Sequence, residues 1–208
     1  MPVPLMPKVS DIFWSAQGEG LNSGVSSIFI RLAGCSLRCP YCDTRDAWHG
    51  GRTMSAAEIA AAVAALPAAG PGAHLVITGG EPLEQDLTEL LKTLRRDRYF
   101  VAVETNGLHF QDLPFDWWTV SPKDVASYRV HPRLWELTSE IKLLATPALD
   151  AARLKKIRER SQAPIILQPE SSARGKYRRA YDLFKACAQS GIRDVRLGLQ
   201  LHRVYRIS

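Results

Sequence analysis

The chain reads as α/β, a mostly parallel sheet with helices packed outside it, and three observations point there. Short apolar runs rich in β-branched and aromatic residues alternate with amphipathic helical segments over most of the length. At 208 residues the chain can build one sizeable core and not two. The polar clusters "GGEP", "ETNG", "SPK" and "QPES" each follow an apolar run directly, and ligands of parallel sheets sit at the carboxyl ends of the strands. Four separate segments thus deliver polar groups to one face.

The elements follow in order. "SSIFIRL" is the first strand, ending at Gly34 ahead of a cysteine-bearing loop. Ser55 and Glu58 have capping-box spacing and open the helix "SAAEIAAAVAAL", which stops before Pro67. "HLVITGGEP" is a buried strand running into a glycine loop, and "DLTELLKTLRR" carries leucines at helical spacing. "YFVAVETNG" repeats the pattern of strand, polar end and glycine. "WWTVSPK" and "TSEIKLL" are two more strands, "DAARLKKIRER" a helix and "APIILQPE" a strand. "KYRRAYDLFKACAQSG" is a helix stopped by Gly191, and "RDVRLGLQLH" is the last strand. No repeat, low-complexity tract or linker divides the chain, so residues 1–208 form one domain.

Hydrophobic residues make up 46% and charged residues 23%, the balance of a soluble globular protein. The apolar stretches are too short or too interrupted to span a bilayer. "MPVPLMPKVSDIF" lacks a charged leader followed by an apolar region, which places the chain in the cytoplasm. The net charge of +6 is scattered, with local density in "RLKKIRER" and "RGKYRR". Both lie on amphipathic helices, so solvated helix faces are the first reading of them. A docking surface for an acidic redox partner comes second and RNA third. Neither nucleic acid nor membrane is expected as a partner.

"CSLRCPYC" puts Cys35, Cys39 and Cys42 on one loop and leaves Cys187 as the only other cysteine. Clustered thiols in a chain without an export signal favour metal or redox chemistry over disulfides. A zinc site would need a fourth ligand, such as His49 or Cys187, and usually pairs C-x2-C units. A ferredoxin-type cluster would need four cysteines. A four-iron cluster on three thiolates leaves one iron open to a ligand, and the C-x3-C-x2-C spacing favours that reading. Cys187, within an amphipathic helix, reads as a small buried hydrophobe. Asp46 and His49 receive no role.

This motif, with Tyr41 ahead of its last cysteine, resembles the radical S-adenosylmethionine superfamily. Within it, "FWSAQGEG", "FIRLAGC", "CDT", "TGGEP", "SPK" and "QLHR" are similar to the 7-carboxy-7-deazaguanine synthase family, from Ile12 almost to the last residue. Some members carry a long insert between the first two cysteines; here only Ser36, Leu37 and Arg38 stand there. The resemblance implies a pared-down, partial (β/α) barrel of the radical SAM type. It also implies a carbon–nitrogen lyase that contracts the ring of 6-carboxy-5,6,7,8-tetrahydropterin with loss of ammonia, on the route to queuosine and other 7-deazapurines. The cofactors implied are a [4Fe-4S] cluster on Cys35, Cys39 and Cys42, S-adenosylmethionine, and Mg2+ on Thr44. Flavodoxin or ferredoxin as reductant and a homodimer are implied as partners.

The resemblance carries over residue by residue. Gly80, Glu81, Ser121, Pro122, Lys123, Gln168, Pro169, Glu170 and Ser171 fall on positions that hold S-adenosylmethionine. Gly80 lets the backbone come close. Glu81 is the acceptor for the methionine amine, or else a loop carboxylate. Ala16, Gln17, Gly18, Arg31, Thr78, His202 and Ser208 fall on substrate positions, Ser208 through its terminal carboxylate. An arginine fork such as Arg31 suits a carboxylate. Glu19, Glu104 and Asn106 match less closely. The radical comes from the cofactor, so no side chain is named as catalytic. Two alternatives stand beside this one. A glycyl-radical activase leaves "QGEG" and "QLHR" unexplained, and a non-catalytic iron–sulfur or zinc module would form no 5′-deoxyadenosine.

Overall fold

Side chains of a strand alternate between its two faces, and here the two faces carry different residue types. The computed structural model describes residues 6–170 and 174–207. It begins with β1 (Lys8–Ala16), β2 (Ser26–Leu32), β3 (Arg52–Thr53), α1 (Ala56–Ala64) and β4 (His74–Gly79). There follow α2 (Thr88–Arg96), β5 (Phe100–Thr105), β6 (Trp117–Val120), α3 (Leu134–Leu137) and β7 (Glu140–Leu144). The last elements are α4 (Ala151–Arg158), β8 (Ile165–Gln168), α5 (Lys176–Gln189), β9 (Val195–Leu197) and α6 (Leu201–Tyr205). One sheet takes the order β3-β1-β2-β4-β5-β6-β7-β8-β9. From β2 to β9 every pairing is parallel. The sheet ends at β3 and β9 without closing, which is the partial barrel expected.

On the outer face, Ile28, Ile30, Leu75, Ile77, Val101 and Val103 join Ile59 and Val63 of α1 and Leu90, Leu91 and Leu94 of α2 in one core. A second core sets Ile141, Leu143, Ile165 and Leu167 against Leu154 and Ile157 of α4 and Leu183 and Cys187 of α5. Each such side chain contributes about 1.5–3 kcal/mol on burial. Cys187 is 1% exposed and is a core residue, as its helix implied. The capping box is formed: Ser55 Oγ accepts from Glu58 N at 3.2 Å, and the Glu58 carboxylate accepts from Ser55 N at 2.7 Å.

The inner face is layered. Register aligns Phe29, Val76, Ala102 and Trp117 in one row. Two residues further along lies a polar row, in which Arg31 pairs with Thr78, Glu104 with Thr119, and Thr119 with Glu140. The carboxyl ends of the parallel strands therefore carry polar groups above an apolar floor.

The structure adds β1, β3 and α3 to the expected elements, makes the expected first strand β2, and shortens the last strand. β1 runs antiparallel to β2 and β3 and has no clear two-residue period, because its pairing with β2 shifts register between Val9 and Asp11. The last strand, expected over "RDVRLGLQLH", is only Val195–Leu197. The chain then turns away, Leu201 N donates to Gly18 O at 2.9 Å, and α6 replaces the remainder. Alternating Leu197 and Leu199 mimic a strand, but both are exposed.

At the amino end of β4, His74 Nδ1 lies 2.7 Å from Ser27 Oγ, while Nε2 has no partner among the described residues. Burial holds the imidazole below its usual value of 6.5. A depressed histidine favours folding above its unfolded pKa, and that contribution is lost as pH falls through 6.5 toward the folded value. Thermal melts should therefore show stability falling below that pH by at most about 1.4 kcal/mol per pH unit from this group. His74→Gln should flatten the slope, and an unchanged slope would show that the acid sensitivity lies elsewhere.

Candidate active site

The cysteine loop is tied to the end of β4. Gly80 N donates to Leu32 O at 2.8 Å, Glu81 N to Gly34 O at 2.7 Å, and Gly34 N to Ala47 O at 2.7 Å. A side chain at Gly80 would collide with the Gly34 carbonyl. The close approach that excludes a Cβ is thus to the backbone of the cysteine loop itself. Further out, the Tyr41 hydroxyl donates to Asp124, whose other oxygen accepts from Thr146 Oγ1 at 2.9 Å. Ser36 Oγ donates to Glu84 at 2.5 Å. With both sides of the loop fastened, the thiols of Cys35, Cys39 and Cys42 line one cavity, and none is in a disulfide. Cys187 is in the second core and His49 is exposed, so the zinc reading finds its fourth ligand in neither.

That first cavity extends across the strand ends to Gly80, Glu81, Ser121, Lys123 and Gln168. Both amide atoms of Gln168 are buried without a partner among the described residues, and so is Asn106 Nδ2. Buried amides left open carry a desolvation penalty that a ligand with matching donors and acceptors removes. A nucleoside presents such groups, so the residues fit S-adenosylmethionine. Glu81 is 1% exposed, and its carboxylate accepts from Thr105 Oγ1 at 2.6 Å, Asn106 N at 2.7 Å and Leu83 N at 3.1 Å. It fastens the end of β4 to the end of β5. Burial pushes its pKa up against those hydrogen bonds. Pro122 and Pro169 are buried beside the lining residues, and Glu170 is half-buried. Ser171 lies outside the described residues.

A second cavity adjoins the first and collects Ala16, Gln17, Gly18, Arg31, Thr78 and His202, six of the seven residues expected to meet substrate. Ser208 lies outside the described residues. At Gly18 a side chain would collide with the His202 ring, so the glycine lets α6 dock on the loop after β1. The Arg31 guanidinium lies over the Phe13 ring at 4.9 Å and has no hydrogen-bond partner among the described residues. Glu19, Asp43, Thr44, Thr78, Gly79 and Glu104 border both cavities. At this junction the ligand atoms of Glu19, Asp43 and His202 lie within 4.8 Å of one another, and Thr44 Oγ1 donates to Asp43 Oδ1 at 3.0 Å.

Charge is concentrated on the shared wall. Lys142 Nζ lies 2.7 Å from Glu19 Oε2 and 3.4 Å from Glu104 Oε2. Burial opposes the ammonium, but the two carboxylates outweigh it and raise its pKa. Burial likewise opposes ionisation of Glu19, and Lys142 holds its carboxyl below the usual range. Lys123, bonded to Ser121 Oγ at 2.7 Å, is lowered by burial and by Lys142. Sequence reasoning missed Lys142, Asp43 and Gln200. For Lys142 a signal existed: in "EIKLL" two charges stand two residues apart on one face of an otherwise apolar strand.

Residues 29–140 match the Radical SAM superfamily, and the mostly parallel sheet and the three-thiol loop agree with that class. Its members use a [4Fe-4S] cluster and S-adenosylmethionine, and both belong to this protein. A 7-carboxy-7-deazaguanine synthase of Aquifex aeolicus (strain VF5) is 33% identical over 211 residues, covering 95% of this chain and 92% of that one. The enzyme of that name from Synechocystis sp. is 34% identical over 168 residues, 78% of this chain and 77% of that one. The crystal structure of QueE from Escherichia coli matches at a TM-score of 0.75, with 27% identity and 94% of each chain covered. The chain belongs to the 7-carboxy-7-deazaguanine synthase family.

Anaerobically reconstituted protein should hold about four irons per chain. Replacing Cys35, Cys39 or Cys42 by Ala should abolish this, whereas Cys187→Ala should retain it in an iron assay. Gly80→Ala should lose cluster as well, because the loop must move off its collision with Gly34; full iron content in Gly80→Ala would refute that account.

Proposed function

We propose that the protein converts 6-carboxy-5,6,7,8-tetrahydropterin to 7-carboxy-7-deazaguanine with release of ammonia. The observation that carries this reading is the joining of two cavities. A thiol-lined cavity opens onto one lined by the Arg31 guanidinium, which has no hydrogen-bond partner among the described residues, and by the carboxylates of Asp11, Glu19, Asp43 and Glu104. When bound, the cluster and S-adenosylmethionine supply the carbon-centred radical that begins the ring contraction.

The residues of this chain then have distinct tasks. Arg31 takes the pterin carboxylate with a fork preset by stacking on Phe13. Glu19 and Glu104 accept from the amine and N–H edge. Ala16 and Gly18 offer backbone groups, Thr78 stands on the shared wall, and His202 covers the mouth of the second cavity. The amide of Gln17 is already engaged, donating to Glu104 Oε1 at 2.9 Å, so it supports an acceptor and does not read the heterocycle directly. Gln168, Asn106, Ser121 and Lys123 hold the nucleoside. Thr44 is the proposed ligand of Mg2+, which keeps waters and borrows substrate oxygens and so needs little from the chain. The family likeness also supports flavodoxin or ferredoxin as electron donor, a homodimer and the cytoplasm. The net charge of +6 suits an acidic donor. No helix among the described residues is long and apolar enough to cross a membrane.

Anaerobic turnover of the pterin with reductant, analysed by mass, should yield the deazaguanine carboxylate and ammonia. Cleavage of S-adenosylmethionine without that product would refute the reading. Arg31→Ala should raise the pterin KM about tenfold to a hundredfold, the worth of a charge-assisted fork. Thr44→Ala should lose the stimulation by Mg2+ while uncoupled cleavage persists, and equal stimulation of both proteins would remove Thr44 from the site.

A further inference from the structure

Strand β7 places Ile141 and Leu143 among the outer core, and Glu140 and Lys142 on the inner face. Buried charges need partners. Glu140 has them, since its carboxylate accepts from Thr119 Oγ1 at 2.8 Å and from Leu21 N at 2.6 Å. Lys142 has two carboxylates, Glu19 and Glu104, and its side chain is 11% exposed. In each carboxylate the oxygen not facing Lys142 is held by a glutamine. Gln17 Nε2 donates to Glu104 Oε1 at 2.9 Å, and Gln200 Nε2 to Glu19 Oε1 at 2.7 Å. The result is a continuous chain, Gln17–Glu104–Lys142–Glu19–Gln200, that joins four segments distant in sequence.

The two glutamates border both cavities, whereas Lys142 borders only the first. One ammonium between two carboxylates leaves excess negative charge on the wall that faces the second cavity. Arg31 lies in the lining of that same cavity. A ligand with a carboxylate at one end and N–H donors at the other matches this polarity. Gln200 immediately precedes α6, so the link from Lys142 through Glu19 also holds the helix that brings His202 over the cavity.

We propose that Lys142 is the positioning residue of the substrate cavity, holding Glu19 and Glu104 as paired, oriented acceptors for the N–H edge of a pterin-like heterocycle and anchoring α6 through Gln200. This rests on the reading of the second cavity as the pterin site. Without the ammonium, two neighbouring carboxylates in a poorly solvated wall cannot both stay ionised, and a proton taken by one turns an acceptor into a donor facing donors. The loss falls on substrate and spares the cluster and S-adenosylmethionine, because neither the three thiols nor Gln168, Asn106 and Ser121 bond to Lys142, Glu19 or Glu104 among the described residues.

The test compares wild type, Lys142→Met and Lys142→Arg for iron content, S-adenosylmethionine affinity, uncoupled cleavage, and KM and kcat with the pterin. Lys142→Met should keep the first three and raise KM by about tenfold or more, and Lys142→Arg should recover most of the loss. A KM within about twofold of wild type in Lys142→Met overturns the proposal, as does an equal loss of pterin and S-adenosylmethionine affinity. If Lys142→Met does not accumulate, Lys142→Met with Glu19→Gln is compared with Glu19→Gln alone, and a pterin KM within about twofold between the two overturns the proposal. Failure of the cavity reading looks different: wild type would not turn over the pterin, or Arg31→Ala would leave its KM unchanged.

Discussion

Parallel strands held in register impose one choice of face on every second residue, and the site of this protein depends on that constraint. From β2 to β7 the same parity sends isoleucine, leucine and valine outward to the helices and sends Arg31, Thr78, Glu104, Thr119 and Glu140 inward in one row. A slip of one residue in any pairing would bury the charges under helices and expose the aliphatic side chains. The burial that stabilises the outer face therefore also selects the register that assembles the polar row. Stability and site geometry are two readings of one alignment.

The polar row then needs its own compensation, since carboxylates and amines near a sheet surface are poorly solvated. The structure supplies it within the site. Glu81 is consumed by Thr105, Asn106 and Leu83, Glu140 by Thr119 and Leu21, and Glu19 and Glu104 by Lys142 and two glutamines. Among the described residues, the groups that line the two cavities and stay unpartnered are the amide of Gln168, the amide nitrogen of Asn106 and the fork of Arg31. A site that is closed internally and open only toward its ligands is preorganised, so binding costs little rearrangement of the protein.

The cysteine loop shows the same economy of motion. It hangs from β2, is fastened to β4 through Gly34, Gly80 and Glu81, and is held from the other side by Tyr41 on Asp124. Gly80 and Glu81, which fix the loop, also line the first cavity. The thiols and the lining of the first cavity thereby share one frame, while the second cavity is bordered by α6, a short helix docked through Gly18 and Gln200.

The sequence by itself determined the elements whose cause is local. Ser55 and Glu58 close a capping box within one turn, leucines at helical spacing mark α2, and three cysteines within eight residues can converge only through their own loop. All seven expected substrate residues were gathered by resemblance, and the described fold lines one cavity with six of them. Tertiary structure decided the rest. The bulge in β1 hid its period, and α6 forms because Gly18 and Glu19 receive it, although leucine alternation read as a strand. Lys142 lay in plain view on an apolar strand, but its role is made by Glu19 and Glu104. A strand's own pattern records which face a side chain takes, whereas its partners on other strands exist only once the sheet has aligned them.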